Sequence, residues 1–347
     1  MKFIHIADVH LGAQPNAGTA YSAGRTEEIK NTFSRVVEIC EKEKTDLLLI
    51  AGDLFHRQPL LRDLKEVNYW FSRLTHTKVV LIAGNHDYIK KGSYYRTFKW
   101  NDNVYPLFGE KMGYVLIDEL DLAVYGFSYH SQEIREERYN IKAQGLAGTE
   151  ILLAHGGDDR HIPISPAALQ NSGFDYIALG HIHKPQAVIK NLALYAGALE
   201  PVDKNDVGPH GFVRGEITKR GTTAMFVPFA SREYIHLVLE TDESMTNGSV
   251  QNSIREEICA RGVENIYKII LRGMKDPDVK FTPQYMDVYG NILEILDETY
   301  PAYDYEALYE KNKDNLIGRY IESFRGCEEG SMEHLALQEG VRALFEQ

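Results

Sequence analysis

Five short polar clusters end mainly apolar runs in this chain: Asp8-Val9-His10, Gly52-Asp53-Leu54-Phe55-His56, Gly84-Asn85-His86-Asp87, His155-Gly156-Gly157 and Gly180-His181-Ile182-His183. Polar groups at the tip of a hydrophobic strand are costly unless something binds them. Asp8 and His10, like His181 and His183, stand two residues apart. On an extended backbone that spacing directs both side chains to one face, as two ligands of one ion require. The glycines let the backbone turn sharply and approach a ligand. The donors are carboxylate, amide and imidazole, without thiolate. This set suits manganese, iron or zinc in a reactive centre better than calcium or a structural zinc knuckle. Asp8, His10, Asp53, Asn85, His155, His181 and His183 are too many for one tetrahedral ion and match two ions sharing a bridge. The two carboxylates only half offset two divalent cations, so such a centre attracts a phosphodiester anion even on a chain of net charge −12.

That net charge argues against a protein that coats nucleic acid by bulk electrostatics. Positive charge must be local. The 347 residues, 44% of them hydrophobic, can fill one large core or two domains. No apolar run approaches the roughly 18–20 residues that span a bilayer. The N-terminal MKFIHIADVH carries an early Asp and His and does not read as a signal peptide. Cys40, Cys259 and Cys327 share no motif and read as reduced thiols of a cytoplasmic protein.

The elements that must position the clusters alternate strand and helix in the first half. KFIHIA, DLLLIAG and KVVLIAG read as strands. Residues 26–43 form a helix with Ile29, Phe33, Val37 and Cys40 on one face, and 61–75 form a second. From about residue 104 the pattern reads as hairpins: GYVLIDELDLAVYGF, then ILLAH, then DYIALGH. VIKNLALYAG and HGFVRGEITKRGTTAMFVPF follow, with turns between strands. The expected fold class is α/β: a two-sheet sandwich flanked by helices, with a small α+β capping domain. A break near Ala230–Arg232 divides a domain of residues 1–230 from an α+β unit, 231–304. The strands EYIHLVLET and NIYKIILRG flank a helix at 248–261 in that unit. Residues 305–347 form a helical segment, helical over 305–325. A linker, GCEEGS, then precedes the last helix, EHLALQEGVRALFE, with Leu337, Val341, Leu344 and Phe345 on one face.

Asp8-x-His10, Gly52-Asp53-x-x-His56, Gly84-Asn85-His86-Asp87, His155 and Gly180-His181-x-His183 resemble the motif series of calcineurin-like binuclear metallophosphoesterases. DVHLG at 8–12, AGDLFH at 51–56 and ALGHIH at 178–183 resemble the SbcD-type DNA repair exonucleases, partners of SMC-like ATPases. HGGDDRHIPISP at 155–166 and WNDNVYPLF at 100–108 are similar to the YhaO-like branch. The motif resemblance covers roughly residues 1–200. It implies one ion on Asp8, His10, Asp53 and His183. Asp53 then bridges to a second ion on Asn85, His155 and His181. His86 becomes the catalytic residue that is not a ligand, Asp87 its orienting partner, and His56 a neighbour in the catalytic group. The resemblance further implies two divalent ions, manganese first with iron or zinc as alternatives, and DNA exonuclease or endonuclease activity. It implies an SMC-like ATPase partner reached through the C-terminal segment, a DNA-binding cap over 231–304, and a homodimer as one assembly. The rival reading keeps the metals and takes a small nucleotide or cyclic nucleotide.

After the third cluster, YIKKGSYYRTFKW interleaves Lys90, Lys91, Arg96 and Lys99 with Tyr88, Tyr94, Tyr95, Phe98 and Trp100. Bases stack on aromatics and phosphates pair with cations, so this segment is the candidate DNA contact. Of the remaining histidines, His161 is a candidate near the pocket; the others read as structural or solvated.

Overall fold

Leu47–Ala51 (LLLIA) is buried at every position. A strand apolar on both faces belongs in the middle of a layered sheet, and that is where it lies. The computed structural model describes residues 1–328 and 330–345. Glu329 of the expected linker and the last two residues of the tail, Glu346 and Gln347, lie outside the described residues. The chain forms two compact units, Met1–Tyr234 and Ile235–Gln347.

In the first unit the chain runs β1 (Lys2–Ile6), α1 (Ser22–Glu43), β2 (Leu47–Ala51), α2 (Leu61–Ser72), β3 (Lys78–Ile82) and β4 (Val104–Pro106). There follow β5 (Gly113–Ile117), β6 (Leu122–Gly126), β7 (Thr149–His155), α3 (Pro166–Gln170), β8 (Tyr176–Gly180), β9 (Gln186–Ile189), β10 (Ala193–Tyr195), β11 (Gly211–Thr218) and β12 (Gly221–Pro228). Two six-stranded sheets result, ordered β12-β11-β1-β2-β3-β4 and β5-β6-β7-β8-β10-β9. Phe3, Leu49 and Val80 of the first meet Ile151, Leu153 and Tyr176 of the second in a buried layer. On the other face of the first sheet, Ile4, Leu48 and Ile50 pack against Ile29 and Phe33 of α1 and Phe71 of α2. The α1 face expected from periodicity is the buried one.

The hairpin expectation after residue 104 holds for β5–β6, β9–β10 and β11–β12, which pair antiparallel. It fails for β6, β7, β8 and β10, which run parallel. Turn residues between strands mark a reversal only when the strands then pair with each other. Here the 127–148 connection carries the chain back before β7 begins. Its Tyr129 and Tyr139 hydroxyls donate to the His155 carbonyl at 3.1 and 3.0 Å, fixing the end of β7.

The second unit holds a three-stranded sheet, β13 (Tyr234–Thr241), β14 (Ile266–Lys275) and β15 (Ile292–Pro301), with α4 (Asn247–Arg261). Ile254, Ile258, Ile269 and Leu271 form its core. β15 was not foreseen in the sequence. The helices α5 (Tyr305–Asn312), α6 (Leu316–Ser323) and α7 (Met332–Phe345) pack around Ile321, Leu337 and Val341. The apolar face expected on the last helix is therefore largely consumed within its own unit, with Phe345 stacked on Tyr303. Among the described residues, no helix is long and apolar enough to cross a membrane.

Candidate metal centre

β1, β2 and β3 run parallel in one sheet, and β7 and β8 run parallel in the other. Each of the five delivers a polar cluster at its C-terminal end, where open α/β sheets gather their ligands. The backbone there leaves the extended region at once. Asp8, His10, Asp53 and His181 all have positive φ, at 49°, 51°, 50° and 95°. Asp and His tolerate the left-handed region better than most residues. Holding it costs on the order of 1–3 kcal/mol per residue, a strain that collects at functional sites. The side chains therefore converge through tight reversals and not through the alternation of an extended strand.

Convergence produces two abutting groups. Ligand atoms of Asp8, His10 and His183 lie within 4.8 Å of one another, with His10 Nε2 3.2 Å from His183 Nε2. In the other group, Asn85 Oδ1 is 2.9 Å from His155 Nε2 and 3.1 Å from His181 Nδ1. Asp53 stands between them, its Oδ2 4.0 Å from His10 Nε2 and 3.5 Å from His155 Nε2. His181 and His183 thus face different groups. The expectation that their spacing aims both at one ion is corrected, because the φ of 95° at His181 turns the two side chains apart.

The donor chemistry fits a pair of cations. His155 Nδ1–H donates to the Ala51 carbonyl at 2.8 Å, which leaves the Nε2 lone pair facing the Asn85 oxygen. The backbone N–H of His86 takes Asp53 Oδ1 at 2.9 Å and leaves Oδ2 toward the imidazoles. The backbone N–H of His181 holds Asp8 at 2.9 and 3.1 Å. Electron-rich atoms converge, those of Asp8, His10, Asp53, Asn85 and His155 on buried residues and those of His181 and His183 on half-buried ones. A Cβ on Gly84 would lie 2.2 Å from Asp53 Oδ1 and 2.6 Å from His155 Nε2, so only glycine leaves this space open. In the metal-free molecule protons meet part of the demand. Burial works against charge on His155, yet the Asp53 and Asp8 carboxylates carry it up to about 9. His183 reaches about 9 against burial through Asp206 and Asp8. Burial and the neighbouring His155 lower His181 to about 4. Asp53 is held well below the usual carboxylate range by His155 and His10, although burial opposes this.

His86 and His56 are exposed at the lip of the centre and stack on each other, ring centroids 5.3 Å apart. Their ring nitrogens also lie within 4.8 Å of His10. His86 Nδ1–H donates to the His56 carbonyl at 3.2 Å. Asp87 does not orient His86, contrary to expectation. Its carboxylate is fully buried and accepts from the Gly84 N–H (2.8 Å), the Phe55 N–H (3.2 Å) and the Tyr95 hydroxyl (2.8 Å). It braces the third cluster against the second.

Tyr95, expected at a DNA contact, is 3% exposed and committed to Asp87. Phe98 and Trp100 pack on the core beside it. Alternation in this segment separates an inner aromatic face from an outer one. Lys90, Lys91, Tyr94, Arg96 and Lys99 are exposed, although Arg96 Nε donates to the Lys90 carbonyl. His161 does reach the site, through Asp158, which lies 2.9 Å from its Nδ1 and 2.8 Å from His181 Nε2. Two residues at the site went unread in the sequence, Asp158 and Asp206. Asp158 follows His155 closely enough to have been suspected. Asp206 sits in an ordinary loop sequence, KNDVG, that carries no signal.

Residues 1–185 match the family model described as calcineurin-like phosphoesterase. The DNA double-strand break repair protein Mre11 of Aeropyrum pernix is 29% identical over 233 residues, 60% of this chain and 56% of that protein. The uncharacterized metallophosphoesterase YhaO of Bacillus subtilis is 30% identical over 244 residues, 63% and 58% of the two chains. The SbcD component of the nuclease SbcCD of Staphylococcus saprophyticus is 22% identical over 344 residues, 86% and 85%. Against the first two, the match spans little more than half of the relative's length.

Proposed function

This chain belongs to the calcineurin-like phosphoesterase family, and from that premise we propose that it is a metal-dependent DNA nuclease of the SbcD type. The observation that carries the reading is the juxtaposition of two donor groups around Asp53 with His86 exposed at their lip. Asp8, His10 and His183 would hold one ion, Asn85, His155 and His181 the other, and Asp53 both. Oxygen and imidazole donors favour manganese, with iron or zinc as alternatives. When bound, the ions supply Lewis-acid stabilisation of the phosphoryl group and a nucleophile from water at neutral pH.

The chain's own contribution to bond cleavage is the proton. His86 is anchored through Nδ1, so its Nε2 is the nitrogen available to substrate. In its protonated form that nitrogen donates to the leaving 3′-oxygen of a phosphodiester. Asp87 and Tyr95 hold the turn that presents it. DNA as substrate is supported by the names of the relatives and by the exposed Lys90, Lys91, Tyr94 and Lys99 that follow the third cluster. The second unit is read as a cap for duplex DNA. Met332 and Leu335, exposed one turn apart on α7, are read as its surface for an SMC-like ATPase. Three free cysteines accord with a reducing compartment such as the cytoplasm.

The test is to incubate the purified chain with end-labelled linear duplex DNA and with nucleotide phosphoesters, each with manganese or EDTA. Manganese-dependent cleavage of the duplex, abolished by EDTA, is expected. Hydrolysis of nucleotides alone would replace the nuclease reading with a small-molecule phosphoesterase.

A further inference from the structure

Three imidazoles of the centre are held from behind by an oxygen, and two of those oxygens belong to carboxylates with no assigned role. His155 leans on a backbone carbonyl, that of Ala51. His183 Nδ1 lies 3.1 and 3.2 Å from the carboxylate oxygens of Asp206. His181 uses its other nitrogen: Nε2 is 2.8 Å from Asp158 Oδ2. A neutral imidazole has one N–H and one lone pair, and an N–H given to a carboxylate fixes the lone pair on the opposite nitrogen. That nitrogen is Nε2 in His183, facing His10, and Nδ1 in His181, facing Asn85.

We propose that Asp206 and Asp158 are positioning residues that impose opposite tautomers on His183 and His181, so that each presents a lone pair to the ion its side chain already faces. The inference rests on the metal reading of the site. The backbone turn at His181 aims the two side chains at different donor groups, and the tautomers make the facing nitrogen a donor in each. Spacing alone would send both side chains the same way.

The two carboxylates are not equivalent. Asp206 is itself fixed, its Oδ2 accepting from the Val202 and Asp203 N–H groups at 2.9 Å each, and its side chain is 10% exposed. It serves one imidazole. The Asp158 side chain is 46% exposed and accepts from the Arg160 and His161 N–H groups and from the His161 ring as well as from His181. Asp206→Asn is therefore the sharper variant. Its amide oxygen, kept on Val202 and Asp203, stays beside His183 Nδ1 only as a weaker, uncharged acceptor, and the NH₂ replaces the second carboxylate oxygen. The hold on the Nδ1–H tautomer, and with it the lone pair on Nε2, is weakened.

The test reads metal binding and the ligating nitrogen, not turnover. Long-range ¹H–¹⁵N spectra of the zinc-loaded chain should show His183 bound through Nε2 and His181 through Nδ1. In manganese titrations of Asp206→Asn, one of two binding steps should weaken roughly 10–100-fold while the other is retained, the usual size of a lost partner behind a metal-bound histidine. Asp158→Asn, in an exposed loop, should weaken the other step, and it carries the test if Asp206→Asn does not fold. Two ions bound with unchanged affinity in both variants would overturn the proposal, as would both histidines ligating through the same nitrogen. A wild-type chain that takes up no ions would overturn the metal reading itself, and the proposal with it.

Discussion

At the residue scale the site divides its histidines by exposure. His10, His155 and their neighbours are buried donors, whereas His86 stands at the lip with Nδ1 tied to a carbonyl. His86→Gln keeps a polar side chain but cannot act as an acid near neutral pH. It should bind both ions and DNA nearly as the wild type does, and cleave roughly 10²–10⁴-fold more slowly. A nitrophenyl phosphodiester, whose leaving group needs no proton, should partly restore its rate. The same substrate should not rescue Asn85→Ala, which loses metal. Loss of an ion from His86→Gln in elemental analysis would refute the assignment. The buried donors make a separate prediction about pH. His155 and His183 are carried up to about 9, so both hold protons at pH 7 in the metal-free chain. A metal must displace those protons, since a ligating imidazole is neutral. Affinity should therefore rise with pH from 7 toward 9 and level off above that. Calorimetry in buffers of different ionisation heat should find about two protons released per chain near pH 7. Affinity independent of pH over this window would mean that the two imidazoles are already neutral at pH 7 before metal binds.

At the scale of elements, parallel strands place their polar ends on one side, and short reversals do the rest. The turn after β3 carries a glycine at position 84 because nothing larger fits against Asp53 and His155. Gly84→Ala should cost bound metal before it costs the fold, since the clash falls on ligand side chains and the sheets pack elsewhere. Elemental analysis beside a thermal melt separates the two. An alanine variant that retains both ions would mean that the third cluster sits farther from Asp53 than described. β15 shows why its element was hard to read. Glu294, Asp297 and Glu298 make ILEILDETYP resemble an exposed helix. In the sheet these acids pair with Lys268, Lys275 and Arg272 of the neighbouring β14 at 3.1, 2.7 and 3.0 Å. Cross-strand charge pairs support a strand that its own composition does not announce.

At the scale of the whole molecule, each unit fills its own core. The hydrophobic clusters of the first unit draw on residues up to Phe229, and those of the second begin at Ile235. A chain of residues 1–234 should therefore fold alone. It should keep both ions and hydrolyse a nitrophenyl phosphodiester within about threefold of the full chain, because the proposed acid and ligands are all present. Cleavage of duplex DNA should fall at least about tenfold if the second unit holds the duplex. Equal duplex cleavage by both chains would remove the cap from the function. What the sequence determined by itself was the set of chemical groups: five clusters, each a strand with a polar tip. Such a signal is local, and so is the 3.6-residue periodicity that set the buried face of α1. Tertiary structure decided what depends on partners far along the chain. It made β6, β7, β8 and β10 parallel where turn residues suggested hairpins, and it buried Tyr95 against Asp87. It also brought Asp206 to His183, 23 positions apart with β9 and β10 between them. A carboxylate becomes a partner of an imidazole through distance and direction, and neither is written in residue type.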